Sequence, residues 1–259
     1  MVATSTLREV TRQGRLLTVL NRREISARRG LIVSGPWATG KSTAIKQPGS
    51  ERIPVVYVTT PPRGSPRKLA LEFARFLGLP PVKTGWNTTD IADAVCQILI
   101  EARCELVLVD EIHNLNLATS AGEDMSDHLK YFTEHLPATF VYAGINVERS
   151  GLFTGVRGKQ IAGRCVLTST GPFPYRKEWQ GLVATMEAAL RLHRDQAGTL
   201  AKLDRYLHKR TGGMIGSLSH LIRAGAISSI VDGCEVITRE LLDEVPLDHA
   251  AQSLRDGAA

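Results

Sequence analysis

Gly35-Pro36-Trp37-Ala38-Thr39-Gly40-Lys41-Ser42 is the stretch that decides the fold. It reads G-x-x-x-x-G-K-[ST], the phosphate-binding P-loop. Glycines let backbone N–H groups approach phosphate oxygens with no Cβ in the way. Lys41 supplies a point charge for the β- and γ-phosphates, and the Ser42 hydroxyl supplies a ligand for Mg²⁺. A helix opening at Lys41-Ser42-Thr43 aims its positive end at the anion. The preceding run, Gly30-Leu31-Ile32-Val33-Ser34, is short and apolar, as a buried parallel strand should be.

A second apolar run, Glu105-Leu106-Val107-Leu108-Val109-Asp110-Glu111, ends in two carboxylates. It reads as a central parallel strand. Ligands of such sheets bind at the carboxyl ends of strands. Asp110 is therefore expected beside the P-loop, holding Mg²⁺ through water in the Walker-B role. Glu111 is expected to face the γ-phosphate and act as general base on the attacking water. Alone, two acids after a strand more often mark a solvated strand end; the P-loop upstream selects the catalytic reading. The guanine-reading N-K-x-D pattern is absent, which favours ATP over GTP.

The chain has 259 residues, of which 43% are apolar. That length suits one α/β domain with a small appendix. Cys96, Cys104, Cys165 and Cys234 are widely spaced, with no C-x-x-C pair. They read as core thiols in a reducing compartment rather than as a zinc or disulfide framework. No apolar stretch approaches a membrane span, and the first 30 residues lack a signal-peptide core. A cytoplasmic location is the expectation.

Charge is uneven around a formal net of +6. Residues 1–29 carry Arg8, Arg12, Arg15, Arg22, Arg23, Arg28 and Arg29 against Glu9 and Glu24. Residues 62–83 carry Arg63, Arg67, Lys68, Arg75 and Lys83 against Glu72, whereas residues 235–256 are acidic. A basic first half points to a polyanion partner, nucleic acid above all. Each cluster alone also reads as a solvated helix face. Arg63, Arg67, Lys68 and the N-terminal arginines are the DNA-binding candidates.

Periodicity predicts a basic helix over 5–28, then strands at 30–34, 55–59, 105–110, 139–144 and 164–168. Helices are predicted at 65–78, at 88–103 with Thr88 or Thr89 as cap, and at 122–136. Beyond Pro172–Pro174 the chain turns helical: 177–194, 198–211, 214–231 and 238–245. Repeated β-α units imply a parallel sheet flanked by helices. The expected domains are a helical lead-in (1–29), a P-loop core (30–172) and a helical lid (173–259).

The whole resembles an AAA+ ATPase, and is most similar to transposition regulators of the TniB/TnsC type. The stretches that carry the likeness are Thr59-Thr60-Pro61-Pro62, Leu77-Gly78-Leu79-Pro80, Val109-Asp110-Glu111-Ile112-His113-Asn114-Leu115 and Gly212-Gly213-Met214-Ile215-Gly216-Ser217-Leu218. The resemblance implies an α/β P-loop fold with a C-terminal helical lid, and an ATPase using ATP and Mg²⁺. It further implies assembly into a ring or filament on DNA, with a transposase as partner. It marks Asn146 as the polar group that orients the attacking water; the same residue reads as a turn opening a helix at Val147-Glu148. Arg164 lies where such proteins carry the arginine finger, with Arg157 as rival. His113 reads as a satisfied buried imidazole.

Two features depart from the pattern. The helix after the P-loop meets Pro48-Gly49 early, which proline cannot continue. Met214 and Ser217 stand where many AAA+ lids carry a sensor-2 arginine, and no sensor-2 residue is assigned. The expected function is an ATP-hydrolysing protein that assembles on DNA and recruits a transposase. The alternatives are a helicase-loader or initiator-like ATPase, and a slow nucleotide switch.

Overall fold

In a computed structural model, the structure describes residues 4–23, 28–46, 53–81, 85–115, 121–149, 155–194, 196–249 and 251–252. The chain divides into two compact units: Thr6–Pro36 with Lys41–Thr170, and Met1–Ser5 with Trp37–Gly40 and Gly171–Ala259.

The larger unit is built on a five-stranded, all-parallel sheet. In chain order come α1 (Ser5–Asn21), β1 (Gly30–Ser34), α2 (Lys41–Lys46), β2 (Val55–Thr59), α3 (Pro66–Phe76), α4 (Thr88–Glu101), β3 (Leu106–Asp110), α5 (Ala121–His135), β4 (Thr139–Gly144), α6 (Gly155–Ala162) and β5 (Cys165–Ser169). The strands lie in the order β2-β3-β4-β1-β5. Every residue of β1, β3 and β4 is buried, because both faces of the sheet are covered. Leu31, Val33, Leu106, Leu108, Val141 and Ala143 face α1 and α2 through Val10, Leu17, Ala44 and Ile45. Ile32, Val107, Val109, Phe140 and Tyr142 face the helices opposite, where Phe73 and Phe132 stack at 4.7 Å. After β1 the chain crosses to β2, on the far side of β3 and β4. It returns past β1 only at β5. That reversal beside β1 opens a crevice at the carboxyl ends of the strands, where α/β folds bind ligands.

Several boundaries differ from the sequence reading. α1 ends at Asn21 rather than reaching residue 28. The Asn21 amide donates to Arg29 O and to Thr139 Oγ1, both at 2.8 Å, and its oxygen accepts from Arg29 N–H at 2.8 Å. The side chain thus holds the returning chain against the sheet. α4 is capped by Asn87, not by Thr88 or Thr89; Asn87 and Asp90 exchange bonds in a capping box. α6 was not anticipated. The fifth strand starts at Cys165, one residue late.

The smaller unit holds α7 (Lys177–Ala189), α8 (Thr199–Lys202), α9 (Asp204–Thr211), α10 (Ile215–Val231) and α11 (Arg239–Glu244). Its core gathers Trp179, Leu182, Leu207, Leu218, Leu221 and Ile237. Trp179 Nε1 donates to Asp204 O at 2.9 Å, which satisfies the one polar atom of a fully buried ring. Arg210 ties α9 to α11 through Asp243 Oδ1 at 2.6 Å and Val245 O at 2.7 Å. The helix expected over 177–194 stops at Ala189, because Leu190 turns extended and packs on this core with Leu192. The segment 198–211 is two helices, broken at Leu203.

Candidate functional site

The loop after β1 is set by a close approach. A Cβ on Gly35 would lie 2.2 Å from Thr170 Oγ1 and 2.3 Å from Thr170 O, so no side chain fits there. The chain then turns through Ala38 in the left-handed region (φ 57°). Thr39 is buried, and Trp37 is exposed. In the smaller unit, Gly216 N–H donates to Ala38 O at 2.9 Å, tying the start of α10 to the tip of this loop. Lys41, only 7% exposed, donates from Nζ to Pro36 O at 2.6 Å. Burial lowers its pKa, while the carboxylates of Glu111 and Asp110 act in the opposite sense. The lysine and both acids therefore share one electrostatic neighbourhood, although 70 residues of chain separate Lys41 from Glu111. Ser42 is half-buried and Thr43 exposed on the short helix α2, whose expected end at Pro48 lies outside the described residues.

Asp110 closes β3 and is buried. Its Oδ2 accepts from Tyr57 Oη–H at 2.8 Å, and its Oδ1 from the Glu111 N–H at 2.9 Å. Tyr57, on the neighbouring strand, has its phenol pushed up to about 12, chiefly by burial. Glu111 adopts the left-handed region (φ 56°, ψ 34°), with its side chain 41% exposed. Its carbonyl accepts from the Thr60 hydroxyl, and Asn114 Nδ2 donates to Thr60 O at 3.1 Å. Sequence reasoning missed Tyr57 and Thr60. The available signal was register: Thr59 pairs with Asp110, so the end of β2 lies beside the acids.

His113 is half-buried. Its Nδ1 accepts from Ile145 N–H at 3.1 Å, and its Nε2 lies 3.4 Å from Glu111 Oε2. Asn146 follows Ile145, with φ 44° and an exposed side chain. Its carbonyl accepts from Arg149 N–H at 2.8 Å, opening a tight turn over Val147–Arg149. That loop is pinned to β1, because Val147 N–H donates to Ser34 Oγ at 3.0 Å.

Arg164 is not brought to the P-loop of its own chain. Its carbonyl accepts from Gly30 N–H at 2.9 Å, at the opening end of β1. A five-residue strand spans about 16 Å, longer than an arginine side chain. There Arg164, Arg28, Arg29 and Lys130 line an open pocket together with Phe140 and Ile161. Arg157 lies on α6, and its side chain is outside the described residues.

Arg63, Arg67 and Lys68 cluster where β2 leads into α3. Arg67 donates from Nη1 to Trp86 O at 2.6 Å and Lys68 from Nζ to Arg63 O at 3.3 Å, so each charged end already holds a backbone carbonyl. The N-terminal arginines are partly neutralised. Arg12 pairs with Glu9 at 2.7 Å and Arg22 with Glu105. The Arg12 guanidinium holds the Glu9 carboxyl down to about 2. In the smaller unit, Ser217 donates to Asp248 Oδ1 at 2.7 Å, and Arg223 is exposed. Among the described residues no cluster of three or more His, Cys, Asp or Glu could hold a metal ion, and no single helix is long and apolar enough to cross a membrane.

A family model described as AAA domain matches residues 22–152, half of the chain. The chain belongs to that family. The match runs from the end of α1 through the loop after β4, and so takes in the P-loop, Asp110 and Glu111. No curated protein sequence matches this AAA-domain chain. Among solved structures, it is similar to the Aeropyrum pernix ORC1 protein in complex with DNA, with a TM-score of 0.70 at 14% identity, covering 98% of this chain and 66% of that one. The ADP form of Aeropyrum pernix ORC2 gives 0.72 at 15% identity, covering 94% and 67%. The Thermotoga maritima RuvB Holliday junction branch migration motor gives 0.55 at 17% identity, covering 92% and 67%. The AAA-domain chain thus spans about two thirds of the length of these structures. At such identity the likeness establishes a shared fold: a parallel sheet flanked by helices, with helices following it.

Proposed function

We propose that this chain binds and hydrolyses ATP, assembles on DNA when ATP is bound, and regulates a transposase. The observation that carries the ATPase part of the reading is the convergence of Lys41, Asp110 and Glu111 at the carboxyl ends of β1 and β3. The DNA and transposase parts rest on the basic clusters and the sequence resemblance. The loop amides and Lys41 bind the phosphates. Glu111 takes the proton from the attacking water, and Asn146 orients that water. Ser42 and Asp110 offer a hydroxyl and a carboxylate, the hard oxygen donors that suit Mg²⁺. Both Asp110 oxygens are already oriented by Tyr57 and the Glu111 N–H. When bound, Mg²⁺ neutralises charge developing on the β- and γ-oxygens.

Arg164, at the far end of its own sheet, acts on the nucleotide of a neighbouring subunit, with Arg28, Arg29 and Lys130 beside it. DNA contact falls to Arg63, Arg67 and Lys68. An initiator-like or helicase-loading role is the second reading, favoured by the structural likeness to ORC1, which was solved bound to DNA. A neighbouring integrase-fold gene would support transposition, and a neighbouring replicative-helicase gene the second reading.

The experiment is DNA binding with and without ATP across a salt series. Binding is expected only with ATP, with little sequence preference, and with affinity falling as salt rises, because neutralising the DNA backbone releases counterions. Reversing the charges of Arg67 and Lys68 together should weaken all sequences alike. The salt slope should flatten by roughly one for each phosphate that is no longer neutralised. Binding that ignores salt, or none with ATP present, would refute DNA assembly.

A further inference from the structure

We infer that His113 is a positioning residue for Glu111, and that it ties the carboxylate to the loop after β4. The inference rests on the reading of Glu111 as the base. A ring nitrogen that accepts a hydrogen bond carries no proton. Because Nδ1 accepts from Ile145 N–H, the neutral ring carries its proton on Nε2. That N–H is the donor available to Glu111 Oε2, 3.4 Å away. The separation is longer than a full hydrogen bond, as catalytic hydrogen bonds often are before substrate arrives.

The ring has little freedom to turn away. It rests against the last residue of β4: a Cβ on Gly144 would come within 3.1 Å of His113 Nδ1, 3.1 Å of Ile112 Cγ2 and 3.0 Å of Val147 Cγ2. Glycine at 144 is what lets the imidazole reach the Ile145 N–H. The Glu111 side chain, by contrast, is 41% exposed and has several rotamers open to it. Engaging Oε2 with the fixed ring leaves Oε1 for the water. The same loop is pinned through Val147 N–H to Ser34 Oγ, at the end of the strand that enters the P-loop. A continuous path therefore runs from β1 through Val147 and Ile145 to His113 and Glu111.

The test separates the two ring nitrogens in the full-length chain, with ATP, Mg²⁺ and DNA. In His113→Gln the amide nitrogen stands near Nε2 and keeps the donor to Glu111. In His113→Asn the side-chain oxygen stands near Nδ1, keeps Ile145 and loses Glu111. His113→Leu loses both. The Gln variant should retain kcat within about threefold. The Asn and Leu variants should lose about 10²-fold, the scale of a misplaced reacting group, with KM and nucleotide affinity unchanged. The Asn variant, which keeps the Ile145 bond, should also keep its melting temperature. Equal kcat in the Asn and Gln variants overturns the inference. So does a loss that tracks melting temperature or KM, which marks a structural role only. Glu111→Gln is run alongside. If it hydrolyses ATP at the wild-type rate, the base reading fails and the inference with it. If it is inactive while His113→Asn matches wild type, only the inference fails.

Discussion

Glu111→Gln should hold ATP as tightly as the wild type and lose hydrolysis by about 10²–10⁴-fold, the scale of a general-base contribution. The substitution keeps shape and removes only the ability to take a proton. The loop amides and Lys41, which would bind the phosphates, do not depend on that carboxylate for their positions: Lys41 is buried and donates to Pro36 O. Losing a negative charge beside that lysine removes repulsion toward a polyphosphate. Lys41→Ala should do the opposite and abolish tight binding, because the only side-chain cation of the loop is gone. Trp37, 53% exposed on the same loop, provides an emission readout of binding, with phosphate release as the readout of turnover. Wild-type turnover in Glu111→Gln removes the base assignment; loss of binding in the same variant would mean that the carboxylate is part of the binding surface.

Arg164→Ala should fall by about 10³–10⁵-fold, the effect of an arginine finger on transition-state charge. The Arg164 backbone lies at the opening end of β1, whereas the P-loop leaves its closing end. On the proposed function, the arginine therefore serves a neighbouring subunit's site. Three consequences follow from that separation. Activity per subunit must rise with protein concentration, and rise again on DNA that gathers subunits. Arg164→Ala mixed with Lys41→Ala must partly recover, since the second variant lends its arginine to the intact P-loop of the first. Arg157→Ala is run in parallel, alone and mixed with Lys41→Ala, because Arg157 is the rival finger. Specific activity that stays flat on dilution, with no rescue when Lys41→Ala is mixed with Arg164→Ala or with Arg157→Ala, would point to a self-contained site and refute assembly.

What was legible in the sequence is what local chemistry dictates. The P-loop and the Leu-Val-Leu-Val-Asp-Glu run each carry their whole signal within one strand and one turn, so β1, β3 and the acids fall where expected. The bonds that organise the acids come from distant segments. Tyr57 reaches Asp110 across 53 residues, Ile145 meets His113 across 32, and Val147 meets Ser34 across 113. No periodicity encodes such pairs; they exist only once β2, β3, β4 and β1 are side by side. The end of α1 was misread for the same reason. Its apolar and basic residues continue to 28, but Asn21 turns the chain by bonding Arg29 and Thr139. His113 read as a satisfied buried imidazole; its Nδ1 does have a partner in Ile145, but the ring is half-buried, and nothing in the run Asp110–Leu115 reveals what its two nitrogens meet.

The backbone at Glu111 has a consequence for the energy of the fold. A non-glycine residue in the left-handed region costs about 1–3 kcal/mol, and Glu111 sits there at φ 56°. The Thr60 hydroxyl on its carbonyl and the Asp110 carboxylate on its N–H keep it there. Glycine would relax this turn and leave the domain more robust, but with no carboxylate to present. On the proposed function, the end of β3 is a place where durability is given up for chemistry, because the strained residue of the turn is the proposed base.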